Sequence, residues 1–328
     1  MKKFLLPEEG KFYKANLHCH STVSDGQWTP EEIKERYMAE GYSVVAYTDH
    51  DVLIPHTYLK DENFLPLNGL EVEINEDDSI LRTKKSCHIC MIALSEDNLI
   101  QPCYHRTKFI PPWSEKYRPM VKFDESKSDF EREYTGECIS RMMKEARDEG
   151  FFVTYNHPAW SLESYPEYSA YHNMHAMEII NYGCLVYGYN DYNEKEYDDL
   201  LRMGRRIYCV AGDDNHNGLP DSFGGFTMIK AKSLTYEEIT GALVEGNFYA
   251  SMGPEIHSLW FEDGFIHIKT SPAATIVSTS GIRRVGRAVN TEEAKFEVCP
   301  EDIYVRITVT DKEGKHANTN AYFTDELF

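Results

Sequence analysis

Between residues 13 and 216, a succession of short apolar runs ends on histidine, aspartate or glutamate. This limits the fold more than any other feature of the chain. The runs Tyr13–Leu17, Ser43–Tyr47, Phe64–Leu67, Ile89–Leu94, Phe151–Tyr155, Ala176–Asn181 and Ile207–Ala211 are rich in Val, Ile, Tyr and Phe, as strands are. The first leads to His18 and His20, with Asp25 beyond, and the second to Asp49 and His50. The third leads to Glu71, the fifth to His157, and the seventh to Asp214 and His216. His88 is the irregular case. It begins the fourth run instead of ending it, so either that strand runs the other way or its start lies upstream. Helix signals alternate with the runs. "TPEEIKERYMAEG" has Thr29 as N-cap, Pro30 in the first turn and Gly41 as a stop, while "ECISRMMKEARDEG" and "LTYEEITGALVEG" also end on glycine. Alternating strands and helices predict an α/β fold with a mainly parallel sheet or barrel. In a parallel barrel the strand ends converge on one rim, so these scattered side chains would meet there.

A single histidine in such a position is ordinarily a hydrogen-bonded core or surface residue. The constellation is different. Along an extended chain alternate side chains share a face, so His18 and His20 point one way, as do Asp214 and His216. Gathering this many titratable groups in one place is costly in desolvation unless cations compensate, which predicts a metal cluster. Glu178 and Asn181 lie on the sixth run, where alternation does not direct Glu178 to the cluster, and it is not counted among the ligands.

The 328 residues, 41% of them apolar, suffice for about two domains and a sizeable core. The formal net charge of −20 repels phosphate backbones, so no stable nucleic-acid partner is expected. A small anionic substrate is still compatible with this charge, because bound cations reverse the local field. The apolar run in "MKKFLLPEEG" is too short for a secretory signal, and no window is long enough to span a membrane. Eight scattered cysteines, mostly inside apolar runs, fit free thiols in a cytoplasmic protein. Cys87 and Cys90 form a C-x-x-C pair without a second pair or a following helix start, and read as two strand residues.

After Pro254 the texture changes to short strand patterns joined by turn residues such as "EDG" and "KEGK". Residues 254–328 are therefore expected to form a small antiparallel β module behind a 1–253 catalytic unit. Residues 101–135 are long for a plain connection and read as an insertion or lid. Its cations Arg106, Lys108, Lys116 and Arg118 are candidates to meet a phosphate, and Trp113 and Tyr117 to stack on a base.

The ordered motifs "NLHCHSTVSDG", "TPEEI", "AYTDHD", "GLE", "NHP" and "GDDNH" resemble the PHP (polymerase and histidinol phosphatase) metallohydrolases over residues 13–250. The resemblance implies a distorted seven-stranded (β/α) barrel, similar to a TIM barrel, binding two or three divalent ions. It also implies the ligand sets. His18, His20, Glu71 and Asp214 would hold one ion, and Glu71 would bridge to a second with His88 and His157. Asp25, His50 and His216 would hold a third. Asp25 stands where several relatives have His, and Asp213 where the family often has Ser.

Mixed His and carboxylate ligands suit zinc, manganese or iron. The implied reaction is hydrolysis of a small phosphate ester, a nucleotide monoester or diester among the candidates, by a metal-bridging hydroxide. Asp51 and His216 are candidates for proton handling, and Ser21 and Ser24 for loop hydrogen bonds in preference to covalent catalysis. "NFYASMGPEI" followed by a β module is also similar to a branch that includes carbamate and ester hydrolases. The alternative is therefore an esterase or amidohydrolase, and a non-enzymatic metal-bound module is a third reading. An open, ligand-rich rim disfavours the third, because structural metal sites are usually closed.

Overall fold

The computed structural model describes residues 2–76 and 85–328. Strands Lys11–Asn16, Val44–Tyr47, Leu65–Asn75, Ser86–Ala93, Phe151–Tyr155, Ala176–Asn181 and Tyr208–Gly212 lie side by side in chain order. Four of their six pairings are parallel. Ser86–Ala93 runs antiparallel to both neighbours. The irregular position of His88 has both anticipated causes: the strand is reversed, and it starts at Ser86, upstream of the expected Ile89. The third strand is longer than the expected Phe64–Leu67 and carries Glu71 within it.

The path of seven strands returns on itself beyond the strand ends. Cys19 and Asn215 form a parallel bridge. The Asp214 N–H donates to the His18 carbonyl at 2.9 Å, and the His20 N–H to that of Asn215 at 3.3 Å. Gly212 permits this approach, because a Cβ there would lie 2.9 Å from His18 Cβ.

The expected helices are present. Pro30–Ala39 is capped by a reciprocal Thr29–Glu32 box and buries Ile33 and Tyr37, one turn apart on one face. Gly136–Asp148 buries Ile139, Met142, Met143 and Ala146, and Tyr236–Glu245 ends on Gly246 in the left-handed conformation. No described helix is long and apolar enough to cross a membrane.

On the outer edge of Lys11–Asn16 the sheet continues antiparallel through Phe226–Ala231 and Phe248–Ser251 to His316–Thr319. The last of these belongs to the C-terminal strands, whose hairpins turn at Asp263–Gly264 and between Tyr304–Thr310 and His316–Thr319. These strands share an apolar cluster with Leu5, Leu6 and Tyr249, to which they contribute Leu259, Ile268, Ile276, Ile307 and Val309. A buried Arg306 ties them to helix Glu194–Arg202. Its Nε and Nη2 donate to Asp198 at 2.8 and 3.0 Å, and its Nη1 donates to Glu194 at 3.0 Å. All eight cysteines are free, and Cys87 and Cys90 sit in the Ser86–Ala93 strand.

Candidate metal centre

The expected ligands His18, His20, Asp25, His50, Glu71, His88, His157, Asp214 and His216 converge at one place. Glu71 is at the centre. Its Oε1 lies 3.2 Å from His18 Nε2, His88 Nδ1 and His157 Nε2, and its Oε2 lies 3.3 Å from His50 Nδ1 and 3.4 Å from His20 Nε2. Asp214 Oδ1 is 3.2 Å from His18 Nε2 and 3.1 Å from His20 Nε2. Asp25 approaches His50 at 3.6 Å and His216 at 3.5 Å.

Donor atoms of His18, His20, Glu71 and Asp214 all lie within 4.8 Å of one another, matching the first implied set. Asp25, His50 and His216 form another such group, joined by His20, which the family resemblance implies for the first set alone. Around Glu71 and His88 the third member of the compact group is His50, while His157 groups with His18 and Glu178.

The side chains fit cations better than one another. Buried atoms without a hydrogen-bond partner include His50 Nδ1, both ring nitrogens of His88, Glu71 Oε2 and Asp214 Oδ1. Stranding such groups in a protein interior is expensive, and divalent ions would satisfy them together. Asp51, His157 and Asp214 also have positive φ angles of 57°, 24° and 52°. Such conformations are uncommon outside glycine and collect at functional sites.

Without cations the cluster is electrostatically divided. Burial alone would lower His18 and His20, but Asp214 and Glu71 overcome it and hold both well above the usual imidazole range. Burial and the neighbouring His20 push His50 down to about 3. His157 is raised to about 9, as Glu71 and Asp214 outweigh its burial. Burial opposes ionisation of Glu71 and Asp214, yet the surrounding histidines hold both well below the carboxylate range. Ligand imidazoles must be neutral, so cation binding would displace whatever protons these histidines hold at their ligating nitrogens.

Beneath the ligands lies a scaffold of carboxylates. Asp49 accepts from Ser21 N–H at 2.8 Å, Ser24 N–H at 3.1 Å and Ser24 Oγ at 2.7 Å, fixing the loop between His20 and Asp25. Ser21 and Ser24 thus make the expected loop hydrogen bonds. Asp213 serves a neighbouring turn. It accepts from Tyr37 Oη and from the N–H groups of Phe223, Gly224 and Gly225, all within 3.0 Å. Glu178, left out by the alternation argument, faces the cluster after all. Its Oε1 lies 2.7 Å from His18 Nδ1, and its Oε2 accepts from the His157 N–H at 3.1 Å. A register shift between Glu178 and Ile180 breaks the simple alternation there.

A cavity of about 330 Å³ opens over the centre, lined by ligands and by Glu73, Pro111, Trp113, Trp160, Gly183, Cys184 and Tyr187. His216 lines it, and Asp51 does not. Asp51 is buried, raised to about 6 by that burial against the pull of Arg132, whose Nη2 donates to it at 2.5 Å. The candidate substrate cations are elsewhere. Arg106 pairs with Asp129, Lys108 with Glu131 and Arg118 with Glu115, and none of the three lines the cavity. The insertion reaches the cavity through Pro111 and Trp113. It is held there by an apolar cluster of Val23, Val52, Ile54, Tyr104, Ile110 and Val121, against which Tyr117 packs. Glu73, Trp160 and Tyr187 were missed by the sequence reading. Glu73 was accessible to it, because it follows Glu71 by two residues and shares its face.

Fold and site together define an α/β protein with a buried His/carboxylate centre at its strand ends. No family model matches the chain. It is 50% identical over 66 residues to a 5′-3′ exoribonuclease of Haemophilus influenzae, covering 19% of this chain and 24% of that protein. It is 37% identical over 67 residues to the DNA polymerase/3′-5′ exonuclease PolX of Bacillus subtilis, covering 20% of this chain and 11% of that one. The match thus spans about a quarter of the first relative and about a tenth of the second. Among solved structures, a Bacteroides vulgatus two-domain protein containing a predicted PHP-like metal-dependent phosphoesterase aligns over 98% of this chain and 97% of its own, with a TM-score of 0.48 and 14% identity. An amidohydrolase from Chromobacterium violaceum, with bound sulfate and no metal, aligns over 62% and 88%, with a TM-score of 0.36 and 16% identity.

Proposed function

We propose that this protein is a metal-dependent hydrolase of the PHP type that cleaves a small phosphate ester. On this reading residues 1–253 are the catalytic unit, a distorted seven-stranded barrel, and residues 254–328 a C-terminal β module. The observation that carries the reading is the set of unpartnered buried ligand atoms around Glu71 beneath an open cavity. His18, His20, Glu71 and Asp214 would hold one ion, Glu71, His88 and His157 a second, and Asp25, His50 and His216 a third. Divalent ions bound there would supply an activated water and neutralise charge developing on phosphorus oxygens.

The chain's own residues do the positioning. Glu178 accepting at His18 Nδ1 leaves Nε2 as the lone-pair nitrogen, aimed at Glu71 and Asp214. Asp49 holds the loop that presents His20 and Asp25. His216, on the cavity wall, would pass a proton to a leaving oxygen only while the Asp25, His50 and His216 set holds no ion, whereas Asp51 lies outside the wall, paired with Arg132. Phosphate over carbonyl substrates is supported by the local identity to nucleic-acid-cleaving enzymes. The cations of the insertion, being paired with acids, lend it no support.

The test is phosphate-ester hydrolysis by Mn²⁺-loaded protein, with His20→Ala as control and metal content measured on both. Cleavage that depends on His20 supports the reading. Bound metal with no cleavage of any phosphate ester, and turnover of carboxylic or carbamate esters instead, would transfer the same centre to the esterase alternative.

A further inference from the structure

The cavity wall differs from that of a pocket built to take a phosphate by its charge. Among the described lining residues there is no lysine or arginine, while Glu73 adds a carboxylate whose side chain is 35% exposed. Arg132, at the nearby end of the insertion, is committed to Asp51 and to the Glu73 carbonyl, with its side chain 4% exposed. Among the described lining residues, therefore, nothing but bound metal ions would offer a substrate cationic charge, and a further negative charge on it would face Glu73. Three aromatic side chains from separate segments surround the same opening. Trp113, Trp160 and Tyr187 are 51%, 38% and 51% exposed. Trp160 stands edge-on to His88 and His157, with ring centroids 5.0 and 5.1 Å away. Exposed aromatic faces beside a reaction centre are suited to a flat ring.

We propose, building on the phosphoesterase reading, that the pocket selects a phosphodiester with one negative charge, one of whose ester groups bears a flat aromatic ring held by Trp113, Trp160 and Tyr187. Water adds to phosphorus, one P–O ester bond breaks, the leaving oxygen takes the proton, and a monoester and an alcohol are released. The monoester product carries the second negative charge that Glu73 opposes, so it is released in preference to being cut again.

The charge is tested with para-nitrophenyl phosphate and its methyl diester, which share ring and leaving group and differ by one charge. The Mn²⁺-loaded full chain should favour the diester in kcat/KM, and Glu73→Gln should narrow the difference by about fivefold. The ring is tested by inhibition with diphenyl and diethyl phosphate, both monoanions. Diphenyl phosphate should bind about tenfold more tightly and quench tryptophan fluorescence, and Trp113→Ala should remove most of that advantage. Preference for the monoester, an equal effect of Glu73→Gln on both esters, or equal binding of the two inhibitors would overturn this inference and leave the phosphoesterase reading intact. Failure to cleave any phosphate ester would remove both.

Discussion

Replacing Glu178 by Gln is the sharpest test of how the centre is organised. The carboxylate is buried and serves His18 Nδ1 at 2.7 Å, the His157 N–H at 3.1 Å and Asn181 Nδ2 at 2.9 Å. Gln keeps the volume and one acceptor oxygen but loses the charge. A charge-assisted hydrogen bond is roughly twice as strong as a neutral one, so the loss at His18 is about 1–2 kcal/mol. Through ligand basicity and ring orientation this translates to about tenfold weaker metal binding. Glu178→Ala removes both oxygens, frees His18 to rotate, and should cost about 100-fold. Affinity is read by competition with a chelating indicator near neutral pH, with circular dichroism of the metal-free variants to confirm the fold. The effect should fall on ions sharing His18 or His157 and spare any held by Asp25, His50 and His216, so isotherms should show selective loss. Folded variants that bind every ion as the parent does would refute the argument and reduce Glu178 to a packing residue.

Other consequences are open to measurement. Arg306→Met leaves Asp198 and Glu194 without their buried cation and should destabilise the protein by about 3–5 kcal/mol in urea titrations. Adding Asp198→Leu should recover much of that loss, and a small effect of Arg306→Met alone would mean the network is solvated. His175 accepts from the Val153 N–H at 3.0 Å and stacks on Phe152, and burial with Arg147 nearby lowers it to about 4. The unfolded chain therefore takes up this proton first as pH falls from about 6.5 to about 4. The His175 contribution is complete above that window and lost through it, and His175→Gln should flatten the stability profile there. Ser21→Ala and Ser24→Ala should each keep most of the activity, since their hydroxyls serve Asp49, and abolition by either would revive a serine nucleophile. Stripping metal with a chelator should lower the melting temperature, and readdition at about 100 times Kd should restore about 3 kcal/mol per site.

Much of the centre is legible in the sequence because strand ends impose their own geometry. His18, His20, His50, Glu71, His157, Asp214 and His216 each follow an apolar run, and topology delivers them to one rim. Glu178 escaped because the shift after it breaks the two-residue period that alternation relies on. The insertion misled for another reason. Composition shows that Arg106, Lys108 and Arg118 are clustered, but only the folded chain shows Asp129, Glu131 and Glu115 beside them. Surface cations in an acidic chain find partners, so a local basic cluster says little about where a substrate sits. Trp160 lies in a turn and Tyr187 caps a helix of five residues, too short for a period to direct a side chain.

The adjacent polar pairs at the strand ends show what residue type alone cannot decide. Asp49 precedes His50, and Asp213 precedes Asp214, so each pair offers two polar side chains to one strand end. The members of each pair face different ways, and at Asp214 a positive φ of 52° takes the chain out of extended geometry just past the strand end. His50 and Asp214 enter the cluster, while Asp49 takes the Ser21–Ser24 loop and Asp213 takes Tyr37 and the Phe223–Gly225 turn. The inward member gains by meeting cations. The outward member is a buried acid satisfied by hydroxyls and backbone N–H groups, and burial raises Asp213 to about 6 in spite of them. Replacing Asp213 by Asn should therefore loosen the turn and lower stability without emptying the metal centre, whereas Asp214→Asn should reduce metal content in a folded protein. Metal analysis of the two variants separates neighbours that the sequence presents as equivalent. Equal metal loss in both would show that the scaffold and the ligands cannot be told apart by the direction each side chain faces.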